Sequence, residues 1–73
     1  MIVTTRNSRY VITQVENSNC VQLTSNNPNY LGPFIGRVLQ TGPCLTFLIT
    51  EGEKAGRCIM TSKTVSVDTE ATH

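Results

Sequence analysis

The sequence has no tryptophan, two alanines, two lysines and a single histidine, His73, at its last position. Each scarcity excludes something. With so few strong helix formers a mainly helical fold is disfavoured. A lone histidine at an end expected to fray deprives general acid–base catalysis of its commonest side chain. It also leaves no internal base to activate a cysteine nucleophile. The P-loop, H-E-x-x-H and G-x-G-x-x-G patterns do not occur, and the carboxylates are few and scattered, so a non-enzyme is expected. Charged residues make up 15% and the net charge is +1, which argues against a duplex-DNA binder with its strongly basic field. No apolar run approaches the ~20 residues of a membrane span, and no signal-peptide pattern opens the chain, so a cytoplasmic protein is expected. Cys20, Cys44 and Cys58 cannot all pair within one chain, and a zinc site made from them and His73 would lack closely spaced ligand pairs. They are expected to be free thiols acting as small buried hydrophobes in a reducing compartment. No cofactor or metal is expected.

What the chain does have is β-branched side chains: valine, isoleucine and threonine supply 7, 5 and 11 residues, 23 of 73. These suit a pleated surface. A chain this short buries only roughly 60% of its unfolded surface, so a deeply enclosed site is not expected. The fold expected is all-β: one small antiparallel barrel or meander, SH3-like or OB-like, of five or six short strands over residues 1–68, with a flexible tail at 69–73. Strand candidates begin with Ile2 to Thr5, then Tyr10 to Val15, whose two faces both carry apolar residues and so suggest cover on both sides. After a polar turn whose asparagines tolerate positive φ, Cys20 to Thr24 returns as a hairpin. Gly36 to Thr41 ends at the turn dipeptide Gly42-Pro43. In Cys44 to Thr50, Leu45, Phe47 and Ile49 share one face. The loop Glu51 to Gly56 leads into Arg57 to Thr61, and Thr64 to Asp68 closes the series with Val65 and Val67 inward.

Ser25 to Gly36 departs from the short-turn pattern. Compact domains mostly use connections of roughly 4–6 residues, and longer ones tend to be functional or disordered. This segment carries Tyr30, Leu31, Phe34 and Ile35, too apolar for disorder. Either Phe34 and Leu31 plug an open end of the barrel, or Tyr30 or Phe34 forms the flat wall of a site.

Binding chemistry is concentrated in Arg6-Asn7-Ser8-Arg9-Tyr10, where two guanidinium forks, an amide, a hydroxyl and an aromatic ring fall within five residues. Arginine matches phosphate oxygens bidentately and stacks on flat rings. Hydrogen bonds to charged groups contribute roughly 1.5–3 kcal/mol each, so a few of them with one stacked base reach micromolar affinity. The alternative is that Arg6 and Arg9 are solvated charges that block edge-to-edge aggregation. The cluster Thr61-Ser62-Lys63-Thr64 could contact an anion, or its hydroxyls could serve local turns.

At these two places the chain resembles a class of short β-rich proteins encoded by bacteriophages. Thr5-Arg6-Asn7-Ser8-Arg9-Tyr10 fits their T-x-N-S-x-Y pattern fully. Thr61-Ser62-Lys63-Thr64-Val65-Ser66-Val67 fits their T-S…V pattern approximately, the first aliphatic residue coming late, and together the motifs cover about a fifth of the chain. Some small phage proteins act as sponges for cyclic-nucleotide or ADP-ribose-type immune signals of the host, and others inhibit a defence protein directly. The resemblance implies an anti-defence role in the host cytoplasm. The expectation is a nucleotide-binding homo-oligomer in which Arg6, Arg9 and Arg37 grip phosphates. Tyr10, Tyr30 or Phe34 would stack on a base, and Asn7, Ser8, Thr61 and Ser62 would orient the ligand. The alternatives are a protein inhibitor that uses a β edge and the Tyr30 to Phe34 loop as its anchor, and a small single-stranded nucleic-acid-binding barrel. With four aromatics and net charge +1, a nucleic-acid partner is the weaker of the two, and no membrane partner is expected.

Overall fold

The computed structural model describes residues 1–69, so the expected tail lies, beyond Thr69, outside the described residues. Six strands follow one another: β1 (Ile2–Thr5), β2 (Arg9–Gln14), β3 (Val21–Ser25), β4 (Phe34–Gln40), β5 (Cys44–Ile49) and β6 (Cys58–Asp68). Each pairs antiparallel with its sequence neighbour, and β6 returns to β1 to close the barrel. Among the described residues no helix is long and apolar enough to cross a membrane.

Alternation builds the interior. Val3 from β1, Tyr10 and Ile12 from β2, Leu23 from β3, Leu45, Phe47 and Ile49 from β5, and Ile59 from β6 form one buried cluster. In β2 the inward face is Tyr10 and Ile12, while Thr13 and Gln14 are exposed and Val11 is half-buried. The strand is therefore covered on one side, not on two as its apolar residues suggested. The turn after β2 places Asn17 at φ 61°, the left-handed conformation that asparagine tolerates. The cysteines are free, with Cys20 and Cys44 half-buried and Cys58 exposed, so none is the buried hydrophobe expected of it.

The two segments expected as separate final strands are one strand, β6, interrupted by irregular register. Against β5 the pairing shifts between Cys44–Lys63 and Thr46–Met60, and the Thr61 hydroxyl accepts the Leu45 N–H at 3.1 Å in place of a backbone carbonyl. Against β1 the pairing shifts between Thr4–Ser66 and Thr5–Thr64. An extra residue reverses the phase of inward and outward side chains. Val65 accordingly turns out to 69% exposure, and Val67, although opposite Val3, stays 40% exposed. The expectation that both face inward fails at Val65, the extra residue of the bulge against β1; Val67 shares the face of its partner Val3 and is part-exposed near the strand's end.

The long connection is also shorter than expected, because β3 runs on to Ser25 and β4 begins at Phe34, which pairs with Leu23. Tyr30 and Phe34 pack on the core, whereas Leu31 is 56% exposed and plugs nothing. Gly32 turns the chain at φ 72°, and a Cβ there would meet the Leu23 carbonyl oxygen at 2.7 Å.

Candidate functional site

The barrel closes over only part of β6. Strand β1 has 4 residues and β6 has 11, and β1 reaches no further up β6 than Thr64. Upstream, Cys58 to Lys63 is bonded to β5 and, among the described residues, has no strand on its other side. The β1–β2 turn and the β3–β4 connection stand across that gap, leaving a cavity of about 340 Å³ at the seam.

Three distant segments converge there. From the turn come Asn7 and Ser8, with Tyr10 behind them. The turn is held by Thr5, whose N–H and hydroxyl both donate to the Ser8 carbonyl, at 2.9 and 3.3 Å. From β6 come Met60, Thr61 and Ser62, and from the connection Asn26, Asn27 and Tyr30. The connection is fixed by its own side chains. Asn26 Oδ1 accepts the Arg9 N–H at 3.0 Å, extending the end of β2. Ser25 Oγ accepts the Asn27 N–H at 3.1 Å and donates to the Tyr30 carbonyl at 2.6 Å. Asn27 Oδ1 accepts the Asn29 N–H at 2.9 Å, an Asx turn, while its Nδ2 donates to the Tyr10 hydroxyl at 3.0 Å.

Asn27 thus ties the loop that carries Tyr30 to the buried core. Replacing it with alanine removes two hydrogen bonds contributing about 0.5–1.5 kcal/mol each. The expected result is a loss of roughly 1–2 kcal/mol of stability, with amide exchange at Asn29 and Tyr30 accelerated about tenfold relative to Leu45. Hydrogen-exchange NMR on Asn27→Ala checks this, and unchanged protection at both amides contradicts it.

Of the residues singled out in the sequence, Asn7, Ser8, Tyr10, Tyr30, Thr61 and Ser62 meet at this cavity. Arg6 and Arg9 do not line it. They are exposed, and flank Asn7 and Ser8 in sequence. Arg37 is exposed on β4 opposite Leu48, and Phe34 lines a neighbouring cavity with Tyr30. Tyr10 is 1% exposed, so its ring belongs to the core and only its hydroxyl serves the cavity; it cannot stack on a ligand. The Thr61 hydroxyl is committed to backbone, donating to the Ser62 carbonyl at 2.9 Å besides accepting from Leu45. The side-chain polar groups of Asn7, Ser8, Tyr30 and Ser62 remain open to a ligand. Asn26 and Asn27 went unrecognised in the sequence because asparagine there reads as turn chemistry; the Asn27-Pro28-Asn29 spacing is the signal that could have revealed them.

No family model, curated protein or solved structure matches this chain. Fold and site together define a small closed antiparallel barrel with a polar cavity at an incompletely paired seam.

Proposed function

We propose that this protein is a non-catalytic binding protein that holds a phosphorylated nucleotide-type ligand at the seam. The observation that carries the reading is the convergence of Asn7–Ser8, Asn27–Tyr30 and Thr61–Ser62 on one cavity of about 340 Å³, within the usual range of small-molecule sites. Tyr30 offers a flat face for a base. The Asn7 amide and the Ser8 and Ser62 hydroxyls hydrogen-bond base or ribose edges, and Arg6 and Arg9 meet phosphates at the rim. The wall is made of amides, hydroxyls, two phenols, Pro28 and Met60. Among the described residues it offers amides and hydroxyls to bind with and no imidazole, thiol or carboxylate to act as nucleophile or general base, a lining suited to holding a cargo unaltered. With the resemblance of Thr5–Tyr10 to the phage motif, the ligand class is the signalling nucleotides of a bacterial host's antiviral defence. A cavity this shallow is completed by a second subunit, hence a homo-oligomer.

Isothermal titration against cyclic di- and trinucleotides and cyclic ADP-ribose isomers tests this. A member of the panel is expected to bind at micromolar Kd or tighter, and absence of heat with every member at high protein concentration overturns the reading. Tyr30→Ala is expected to weaken that binding by about 5- to 150-fold, the value of one stacked base, and an unchanged Kd removes Tyr30 from the site.

The open side of Cys58–Lys63 favours a second reading, in which a strand of a host protein adds to this edge. It requires Tyr30→Ala and Phe34→Ala to abolish binding while Arg6→Ala and Arg9→Ala leave it intact.

A further inference from the structure

Across Tyr30 from the seam lies a smaller cavity of about 190 Å³ between the β3–β4 connection and the β5–β6 hairpin. Its floor is apolar: Ile49 and Ile59 are 3% and 2% exposed. Its sides carry two rings, Tyr30 and Phe34, and two cations, Lys54 and Arg57. We propose that this cavity binds a small flat ring bearing an oxyanion, an aryl phosphate or aryl carboxylate.

Charge is the first support. Two cations line one small cavity, and among the described residues no carboxylate lines it. Glu51 and Glu53 line a different cavity, on the far side of Phe34 and Lys54. Among the described residues neither Lys54 nor Arg57 is ion-paired. An oxyanion in the cavity would take charge-assisted hydrogen bonds from such cations, about twice as strong as neutral ones.

Placement is the second. The Arg57 N–H donates to the Lys54 carbonyl at 3.1 Å and the Ile49 N–H donates to the Arg57 carbonyl at 2.9 Å, so both cations sit on one turn anchored to β5. The Lys54 ammonium lies 5.7 Å from the centroid of the Phe34 ring, held against the cavity wall by its attraction to the ring face. Shape is the third. The isoleucine floor rewards an apolar ring, while the volume admits one ring with its oxyanion and excludes a dinucleotide. The proposal stands apart from the reading of the seam, with which this cavity shares only Tyr30.

The test is a titration of 15N-labelled protein with phenyl phosphate, benzoate, inorganic phosphate and benzyl alcohol, followed by amide shifts at Tyr30, Cys58 and Ile59. Phenyl phosphate is expected to bind saturably at millimolar Kd or tighter. Inorganic phosphate has the charge without the ring and benzyl alcohol the ring without the charge; each is expected to bind at least tenfold more weakly. Benzoate matching phenyl phosphate shows that either oxyanion serves, and benzoate failing narrows the ligand to phosphates. The exposed pair Lys54→Ala/Arg57→Ala is expected to weaken phenyl phosphate at least tenfold, and Arg6→Ala/Arg9→Ala to leave it unchanged. No saturable shift, shifts confined to other amides, an equal response to inorganic phosphate, or full affinity in the Lys54/Arg57 double variant overturns the proposal.

Discussion

Gly36→Ala is expected to lose most or all of the folded state. Gly36 is buried in β4, opposite Ile49 of β5. A Cβ built on it would fall on the Leu48 carbonyl oxygen, 2.8 Å from the Leu48 carbonyl carbon and 3.0 Å from the Ile49 Cα. All three are backbone atoms of β5, and no side chain can swing aside. Overpacking ordinarily costs about 1–3 kcal/mol and more where the backbone must move. A domain of this size has roughly 4–11 kcal/mol in total, at 0.05–0.15 per residue. Each kcal/mol is worth about 4–8 °C in Tm, so a fall of at least roughly 12 °C, or no cooperative transition, is expected in thermal denaturation followed by circular dichroism. Gly42→Ala is the control: nothing lies within 4 Å of its added Cβ, and its Tm is expected within about 4 °C of the parent. Equal Tm values for the two variants would show that β4 and β5 do not approach as closely as the barrel requires.

Gly36 also marks where local pattern ran out as a guide to the fold. A glycine at the head of an apolar run reads as a weak strand start, yet here it is the residue that lets two backbones touch. Strand β5 was legible because its alternation is unbroken: Leu45, Phe47 and Ile49 are all buried. Strand β6 was not. Thr61, Ser62 and Lys63 are residues that make turns, and a bulge uses the same chemistry, a hydroxyl standing in for a backbone partner. Nothing local to those three residues distinguishes a break between two strands from a kink within one. The outward turn of Val65 depended on that distinction.

The candidate site was legible as a set of segments and not as a set of directions. Asn7, Ser8, Thr61 and Ser62 meet at the seam because the motif around Asn7 becomes the β1–β2 turn and the one around Thr61 the bulge opposite it. Which way each side chain points depends on strand phase: Tyr10 goes inward, and its neighbour Arg9 is therefore exposed. The cations that do line a cavity, Lys54 and Arg57, come from what reads as a hairpin loop and the first residue of the strand after it. Their proximity to Phe34 arises from pairing of β4 with β5 and β5 with β6, which no short-range pattern contains.

Tyr10 joins the two halves of this account, and its substitutions are expected to separate them. The ring is 1% exposed and among the largest fully buried side chains, while its hydroxyl accepts the Asn27 amide at 3.0 Å. Tyr10→Ala empties an aromatic from the core, about 3–5 kcal/mol, and is expected to lower Tm by at least roughly 12 °C or abolish the transition. Tyr10→Phe keeps the ring and removes only the hydrogen bond, about 0.5–1.5 kcal/mol, so the barrel is expected to stay folded. Its effect is expected in the loop: faster amide exchange at Asn29 and Tyr30, and weaker binding of whatever nucleotide the panel identifies, because Tyr30 is no longer held in place through Asn27. Thermal denaturation and hydrogen exchange on both variants decide the matter. A Tyr10→Ala protein as stable as Tyr10→Phe would mean the ring is not part of the core. A Tyr10→Phe protein with undisturbed exchange at 29 and 30 would mean the link from core to seam carries no weight.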